Sequence, residues 1–425
     1  MNLLSLRTFM AGLCVSLASQ TFSLSAATLS AYDKNAPVGW ATVGGTVTGG
    51  SNKNSVVVTT KADLLAALSG TGQKTIYVKG TITFSGMETV KDAANKTVYG
   101  LPGAVLSNPI HSAVVSQSGI LSFSRCRNII LRNLTFKSAG AYDIDGNDNL
   151  QFQNSDYIWV DHCDFQDGVD GNFDCNNGTD HIAVTWCRFR YLIKPYAGGS
   201  GGSADHRNCC LWGGSDNNAK DRGHLRTTFA NCWWDQGCHE RMPRVRFGQV
   251  HIVNCLFSCK GNNYCIGAAY ASNIYAEKNV FSGVSNPWKC YAVKKGRTDY
   301  NITMTGNIGA ANEQKRSGSA AFFSPYGVYS YSAMDVAKVQ GEVSAHAGAT
   351  LNVAVGSGVK KVGAFADDKE VTDIAAVGEN VEAEVVAATV YTLSGTEIPA
   401  FQKGVNVVRT RYSDGSVKVK KVLVK

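Results

Sequence analysis

Residues 227–257 read TTFANCWWDQGCHERMPRVRFGQVHIVNCLF and contain one short pattern twice. Asn231-Cys232-Trp233-Trp234 and Asn254-Cys255-Leu256-Phe257 each end a run of strand-forming residues, and they lie 23 residues apart. A fixed period in this range is the signature of a solenoid, in which each repeat is one structural unit stacked on the next. The stretch therefore predicts stacked coils of short β-strands.

The same pattern recurs on both sides of this stretch. Equivalent segments lie at 133–136, 162–165, 186–189 and 278–281. From one segment to the next the second position steps by 29, 24, 45, 23 and 24 residues, so the period is about 23 and the longer steps contain insertions. The residues before each segment are strand formers rather than helix formers. We therefore predict an all-β chain whose main domain is a parallel β-helix.

Equivalent positions of a solenoid stack on one another, so the repeats predict two columns of side chains. The interior column consists of Leu134, Cys163, Cys187, Cys232, Cys255 and Asn279. The aromatic column consists of Phe136, Phe165, Phe189, Trp234, Phe257 and Phe281. A free cysteine behaves as a small apolar residue, so we interpret the stacked cysteines as packing rather than as disulfides or a metal site. The remaining cysteines of the repeat region could form bridges that the spacing does not assign.

Composition divides the chain into three segments. Residues 1–26 have a charged start, an apolar middle and a small-residue end, which is typical of a secretory signal peptide and predicts a secreted protein. Residues 27–350 carry the repeats, and their helix-like segment at 60–68 would cover the open N-terminal end of the β-helix. Residues 351–425 are rich in Val and Ala without the period, which predicts a small C-terminal β-sandwich-like module.

The formal net charge of +8 favours an anionic partner, either nucleic acid or an acidic polysaccharide. Arg241, Arg244 and Arg246 concentrate positive charge in one segment. No helix-turn-helix, zinc-finger or RNA-binding motif accompanies them, so we expect no nucleic-acid partner. No apolar run is long enough to span a bilayer, and we expect a monomer without a membrane span.

Two groups of residues could carry chemistry. Asp148, Asp170 and Asp174 lie in segments rich in Gly and Asn, where short oxygen-bearing side chains can converge on Ca²⁺. Solvated turns are the alternative, because Asp and Asn are common loop residues. On an extended segment Arg244 and Arg246 would share one face, and planar guanidinium groups suit a carboxylated polymer. The alternative for that segment is an exposed basic strand.

Three motifs in a fixed order carry a resemblance to a known family. They are Trp159-Val160-Asp161-His162, Asp170-Gly171-Asn172-Phe173-Asp174 and Arg241-Met242-Pro243-Arg244-Val245-Arg246-Phe247-Gly248. With GTVTGG at 45–50 and AGA at 347–349, they resemble the signature of the pectate lyase family, which contains the extracellular pectate and pectin lyases. The resemblance covers roughly residues 39–350. It implies a right-handed parallel β-helix that cleaves polygalacturonate (pectate) with Ca²⁺ as cofactor.

The resemblance also implies roles for individual residues. It makes Asp148, Asp170 and Asp174 the calcium ligands, Arg241 the catalytic base and Arg246 a substrate-binding arginine. Lys194 is the preferred match for the family's substrate-binding lysine, because its distance from Phe189 fits. A Gly-rich insertion at 197–204 follows it and leaves Arg207 as the alternative.

The last 35 residues or so resemble the C-terminal sorting or attachment modules of secreted proteins from Bacteroidetes-like bacteria. This resemblance implies an origin in such a bacterium. An inert spacer is the alternative role for the module.

The implied reaction is β-elimination, which removes the proton at C5 of galacturonate, expels the oxygen at C4 and gives unsaturated oligogalacturonides. Cations beside the substrate carboxylate offset the negative charge that develops. An arginine acts as a base only if its pKa falls, and we expect Ca²⁺ and neighbouring cations to lower it. Two alternatives fit the same scaffold: a polygalacturonase-type hydrolase with paired carboxylic acids, and a non-catalytic pectin-binding β-helix.

Overall fold

A computed structural model describes residues 29–50, 54–355, 360–361, 385–392, 397–398, 402–412 and 417–424. The chain divides into two compact units, one of residues 1–355 with 359–364 and one of residues 356–358 with 365–425. The predicted signal peptide lies outside the described residues and stays a prediction. Within the described parts, no helix combines the length and apolar character needed to cross a membrane.

The described residues of the first unit form three sheets, which we call the long sheet, the aromatic sheet and the site sheet. The long sheet contains β1 (Ser55–Val58), β2 (Lys74–Val78), β5 (Ala94–Gly100), β8 (Arg127–Arg132), β11 (Asp156–Asp161), β14 (Asp180–Thr185), β17 (Thr227–Ala230), β20 (Gln249–Val253), β23 (Asn273–Glu277) and β26 (Tyr300–Thr305), with β27 (Glu313–Ser317) and β28 (Lys360–Lys361) at its two ends. The aromatic sheet contains β3 (Thr81–Thr83), β6 (Val105–Ser107), β9 (Thr135–Lys137), β12 (Asp164–Gln166), β15 (Arg188–Arg190), β18 (Trp233–Trp234), β21 (Leu256–Phe257) and β24 (Val280–Phe281). The site sheet contains β4 (Glu88–Lys91), β7 (Leu121–Ser124), β10 (Leu150–Gln153), β13 (Phe173–Asn176), β16 (Leu211–Trp212), β19 (Arg244–Val245), β22 (Ile266–Ala268) and β25 (Trp288–Cys290).

Each coil visits the three sheets in turn, as in β11, β12 and β13 before β14 begins the next coil. Strands of successive coils pair in parallel, for example Ile158 with Ile182 in the long sheet and Phe165 with Phe189 in the aromatic sheet. At the C-terminal end, β27 pairs antiparallel with β26. The predicted all-β parallel β-helix is confirmed.

A sharp bend between the long sheet and the aromatic sheet explains the repeated pattern. The first residue of each pattern has a left-handed backbone, with φ between 45° and 59° at Asn133, His162, Trp186, Asn231, Asn254 and Lys278. Asn tolerates this conformation better than most residues, because its short polar side chain can form local hydrogen bonds. At Asn133 the side-chain amide also donates to the carbonyl of Gly100 in the preceding coil, at 2.9 Å. The bend lets two short strands meet without a long loop.

The predicted aromatic column is a continuous stack through six coils. Successive ring centroids are 4.9, 5.0, 5.4, 4.8 and 4.5 Å apart from Phe136 to Phe281, and each pair is close to parallel. All six rings are buried. In-register pairing produces the stack, because each ring occupies the same strand position as the ring below it.

The cysteines pack in the interior as thiols. All twelve cysteines among the described residues are free, and all except Cys290 are buried. The interpretation of the stacked cysteines as packing is confirmed, and the bridges left open for the other eight are not formed. Burial raises the pKa of the Cys187 and Cys255 thiols, because the thiolate would lose its hydration.

Two α-helices pack on the β-helix in the described part of the first unit. In α1 (Lys61–Leu68) Thr60 accepts a hydrogen bond from the amide of Asp63 at 3.2 Å, and Leu64 and Leu68 are buried, as the predicted N-terminal cover requires. The sequence reasoning missed α2 (Val336–His346). This helix buries Val339 and Val343 in a second apolar cluster that includes Trp186, Leu256 and Val280.

The described residues of the second unit form one antiparallel sheet. Its strands are β29 (Val385–Tyr391), β30 (Glu397–Ile398), β31 (Gly404–Tyr412) and β32 (Val417–Val424), in the order β30-β29-β31-β32. The predicted sandwich-like architecture, the limits at 350 and 351, and the sorting role stay predictions.

Phe189 provides a test of the aromatic stack, because its ring lies between those of Phe165 and Trp234. We expect Phe189→Ala to lower the free energy of unfolding by about 3–5 kcal/mol, since it removes a large buried side chain and leaves a cavity. Phe189→Leu fills most of that volume and should cost clearly less. Equilibrium denaturation of both variants measures the difference, and equal losses would show that the cavity is not the cause of the destabilisation.

Candidate active site

The candidate site lies where loops from the aromatic sheet enter the site sheet. Asp148 comes just before β10, Asp170 just before β13, and Asp174 within β13. Arg241 comes just before β19. Because the site-sheet strands are parallel, these loops all meet at the same edge of the sheet. The structure thus brings together four of the residues singled out from sequence.

Asp148 and Asp174 converge on the space beside Gly171. A Cβ atom at position 171 would lie 2.4 Å from Oδ1 of Asp148 and 3.5 Å from Oδ1 of Asp174, so any side chain there would fill the space between the carboxylates. Asp148 is buried, and burial together with the charges of Asp174 and Asp170 raises its pKa well above the usual range. The glycine therefore leaves a cradle lined by carboxylate oxygens.

Asp174 is held in place by the next coil. Its Oδ1 accepts a hydrogen bond from the backbone amide of Leu211 at 2.8 Å. Burial raises the pKa of Asp174 to about 7, although the Leu211 hydrogen bond and the positive charge of Arg241 act in the opposite direction. The surroundings of Asp148 and Asp174 disfavour their charged forms. A bound cation would be favourable there, because it would offset the lost hydration and the repulsion between the carboxylates.

Asp170 has a partner that the sequence reasoning missed. Nε2 of His206 lies 3.1 Å from Oδ1 of Asp170, while Nδ1 of the same ring lies 3.5 Å from Asp143. His206 is buried and follows the Gly-rich insertion at 197–204. The insertion packs on Asp143, since a Cβ at Gly201 would lie 2.9 Å from the Oδ1 of Asp143. The sequence signal that could have indicated this contact was a histidine directly after the Gly-rich insertion at 197–204.

The three aspartates supply the oxygen ligands that calcium prefers, but their side chains are not arranged around a common point. Within the residues that the structure describes, no three His, Cys, Asp or Glu side chains form a group able to hold a metal ion. At Asp170 one carboxylate oxygen contacts Nε2 of His206. Three clustered carboxylates and an open cradle nevertheless fit a hard cation that takes oxygen ligands from protein, water and substrate. Asp148, Asp170 and Asp174 are the residues that could hold it.

Arg241 is positioned by a tight turn before β19. It has a left-handed backbone with φ +60°, its carbonyl accepts from the amide of Cys210 at 2.6 Å, and the Met242–Pro243 peptide bond is cis. Its Nε lies 3.6 Å from Glu240 and has no hydrogen-bond partner among the described residues. The backbone of Arg241 is thus held in place, while its guanidinium group remains available to a ligand.

Carboxylates dominate the electrostatics of Arg241. Burial lowers its pKa, but Asp170 and Asp174 outweigh burial and raise the pKa above its usual value. The nearest charges in the structure are carboxylates, and the decrease expected with bound Ca²⁺ stays a prediction. Any loss of a proton from Arg241 therefore requires that the charge of these aspartates be offset.

Arg246 sits beside the same cluster and is nearly buried. Its Nε donates to Asp216 at 2.6 Å and one terminal nitrogen donates to the carbonyl of Gly213 at 2.7 Å. Burial and the nearby charge of Arg244 lower its pKa. These bonds orient the guanidinium and leave its other terminal nitrogen for a ligand.

Lys194 and Arg207 differ in whether an acidic side chain neutralises their charge. Arg207 forms a two-point ion pair with Asp205, with distances of 2.7 and 2.5 Å. Lys194 is exposed and forms no hydrogen bond or ion pair within the described residues. The free ammonium group favours Lys194 for substrate binding, and its assignment stays a prediction.

Comparison with known proteins places this site in a family context. A model of the family described as pectate lyase matches residues 5–352. The chain belongs to the pectate lyase family. It is 30% identical over 298 residues to a probable pectate lyase A of Aspergillus fumigatus, which covers 68% of this chain and 81% of that protein.

Two other relatives match over a shorter region. Pectate lyase plyB of Emericella nidulans is 34% identical over 230 residues, and a pectate trisaccharide-lyase of Thermotoga maritima is 30% identical over 238 residues. Each alignment covers 52% of this chain, and 61% and 57% of the respective relatives. The chain thus spans about three fifths of the length of these curated relatives. Relatives from fungi and Thermotoga do not support the predicted Bacteroidetes origin.

Solved structures of pectate lyases share the fold. A thermostable pectate lyase has a TM-score of 0.57 at 21% identity, covering 76% of this chain and 98% of its own. A pectate lyase bound to a hexasaccharide has a TM-score of 0.55 at 20% identity, covering 78% and 99%. These similarities agree with the parallel β-helix seen here.

Asp174→Asn tests the predicted calcium site. The amide oxygen can still accept the hydrogen bond from Leu211, so the variant removes the negative charge and keeps the local structure. We expect calcium affinity to fall at least about tenfold, because affinity depends on the number of charged oxygen ligands. Isothermal titration calorimetry of the full chain measures it. Asp92→Asn, at an exposed aspartate paired with Arg125, is the matched control, and unchanged affinity of Asp174→Asn would contradict the assignment.

Proposed function

We propose that the protein is a secreted, calcium-dependent pectate lyase that cleaves α-1,4-polygalacturonate by β-elimination into unsaturated oligogalacturonides. The observation that carries the proposal is the guanidinium of Arg241 beside the half-buried carboxylates of Asp170 and Asp174. Hydrolysis does not require an arginine in this position, whereas abstraction of a proton next to a carboxylate does require a base among compensating charges.

The relatives support the substrate class. All three relatives described above have pectate in their names, and one structure of the same fold is a pectate lyase with a bound hexasaccharide. An acidic polysaccharide also agrees with the net charge of +8 and with the cations around the site.

In the proposed reaction Arg241, as the neutral guanidine, accepts the proton from C5 of a galacturonate unit. The electrons of the C5–H bond form the C4–C5 double bond, and the bond from C4 to the glycosidic oxygen breaks. The leaving oxygen takes a proton from water. Because Arg241 must be neutral, we expect activity to increase toward alkaline pH.

Calcium, when bound by Asp148, Asp170 and Asp174, would supply positive charge to the substrate carboxylate and would offset the three carboxylates. Burial then remains to lower the pKa of Arg241. Arg246, oriented by Asp216, and Lys194 would bind the substrate carboxylate and stabilise the charge that develops on it. Secretion, calcium dependence and these roles belong to the proposal.

The function is tested by incubating the full chain with polygalacturonate and with highly methylated pectin, each with calcium and with a chelator. We expect ultraviolet absorbance from an unsaturated product only with polygalacturonate and calcium. New reducing ends without this absorbance would identify a polygalacturonase-type hydrolase. Binding without either product would identify a non-catalytic pectin-binding protein.

Arg241→Lys tests the proposed base. It keeps a cation but shortens the side chain and removes the planar group that reaches the substrate. We expect turnover to fall by a factor on the order of a hundred to ten thousand, with substrate binding largely kept. Turnover and pectate affinity are measured separately. Near-normal turnover with weakened affinity would make Arg241 a binding residue and would exclude it as the base.

A further inference from the structure

The outer face of the site sheet carries a row of residues that continues past the candidate site. Strand pairing puts Leu211 next to Arg244, Arg244 next to Gly267, and Gly267 next to Lys289. Asp174 begins the row, since its neighbour Cys175 pairs with Trp212. The alternate residues Trp212, Val245 and Ala268 are buried, so the row faces outward.

The row has a regular spacing along the β-helix. Neighbouring strands lie about 4.8 Å apart, so Arg244 is about 10 Å from Asp174 and Lys289 is about 10 Å beyond Arg244. The two cations therefore lie on one line with Asp174 of the candidate site. A linear polymer placed along this line would meet them with different sugar units.

Arg244 and Lys289 are held around one aromatic ring. The guanidinium carbon of Arg244 lies 4.4 Å from the ring centroid of Tyr291, and Nζ of Lys289 lies 5.4 Å from it. Gly267 makes room for this arrangement, because a Cβ there would lie 3.0 Å from Cγ of Arg244. The Tyr291 ring also contacts Tyr264 at 4.6 Å. The ring orients both cations through cation–π attraction.

Arg244 and Lys289 lack an acidic partner in the described part of the chain, unlike many other cations of the β-helix. Within the described residues neither Arg244 nor Lys289 forms an ion pair, and the buried Nε of Arg244 has no hydrogen-bond partner. Arg188 and Arg226, by contrast, are bound by Asp235 and Asp180. A buried donor without a partner is unfavourable, and an anionic ligand would satisfy it.

We propose that Arg244 and Lys289, oriented by Tyr291, form a distal subsite for the carboxylates of a polygalacturonate chain. This distal subsite rests on the proposed function and extends it: the chain would run from the aspartates along the site sheet toward β25. Arg244 would bind one carboxylate and Lys289 another, farther along the chain. Only substrates long enough to span both positions would use the Lys289 end, so the subsite would select for longer oligogalacturonates.

Lys289→Met tests the subsite in the full chain, because it removes the charge and keeps most of the side-chain volume. An exposed ion pair contributes up to about 1 kcal/mol, so we expect the KM for hexagalacturonate to rise about three- to fivefold relative to the KM for trigalacturonate. Lys289→Arg should restore the wild-type ratio. Lys315→Met, at an exposed lysine on β27 of the long sheet, is the matched control and should leave the ratio unchanged.

An unchanged ratio in Lys289→Met, or an equal rise for both substrates, would overturn the proposal. Calorimetric binding of hexagalacturonate to the same variants separates the subsite from the reaction. If the wild type forms no unsaturated product but Lys289→Met still binds the hexamer more weakly than wild type does, the proposed reaction is wrong and the subsite is correct. If affinity for the hexamer is the same in both, the subsite is wrong.

Discussion

The structure depends on the in-register pairing of parallel strands from one coil to the next. Each residue lies about 4.8 Å from its equivalent in the neighbouring coil, so a residue type at one position becomes a column along the whole β-helix. Phe165 and Phe189 show this in the interior, where the rings stack. The same alignment brings the loops before β10 and β13 side by side, so that Asp148 and Asp174 approach the same space beside Gly171. The in-register strand pairing therefore determines both the aromatic core and the arrangement of the aspartates at the site.

The site adds an electrostatic constraint to this framework. Burial raises the pKa of both Asp148 and Asp174 because it disfavours their charged forms, and the charge of Asp174 raises the pKa of Asp148 further. The same carboxylates hold the proton on Arg241. A cation bound to the aspartates would change both effects in the direction that a base requires. Calcium dependence and a guanidine base are therefore one linked hypothesis, because neither is reasonable in this site without the other.

Sequence reasoning predicted the features that occur in every coil and missed features that occur only once. The period of about 23 residues predicted the coils and the aromatic column, because every coil contributes an independent copy of the pattern. The helix α2 and the contact between His206 and Asp170 each occur once, and both depend on contacts between segments far apart in sequence. The contribution of Asp170 and Asp174 to the pKa of Arg241 was missed for the same reason, because folding rather than sequence order decides which charges are nearest. The decrease expected with bound Ca²⁺ stays a prediction.

Charge pairing separates the structural arginines from those available to a substrate. Arg226 donates to Asp180 through Nε and one terminal nitrogen, and these hydrogen bonds hold adjacent coils together. Arg241 and Arg244 each keep an Nε without a hydrogen-bond partner in the described part of the chain, and Lys289 is exposed on the same sheet. Partly buried donors of this kind lower the stability of the free protein, because their lost hydration is not replaced. A polyanion would replace it, so a feature that is unfavourable in the free protein becomes a source of affinity in the complex.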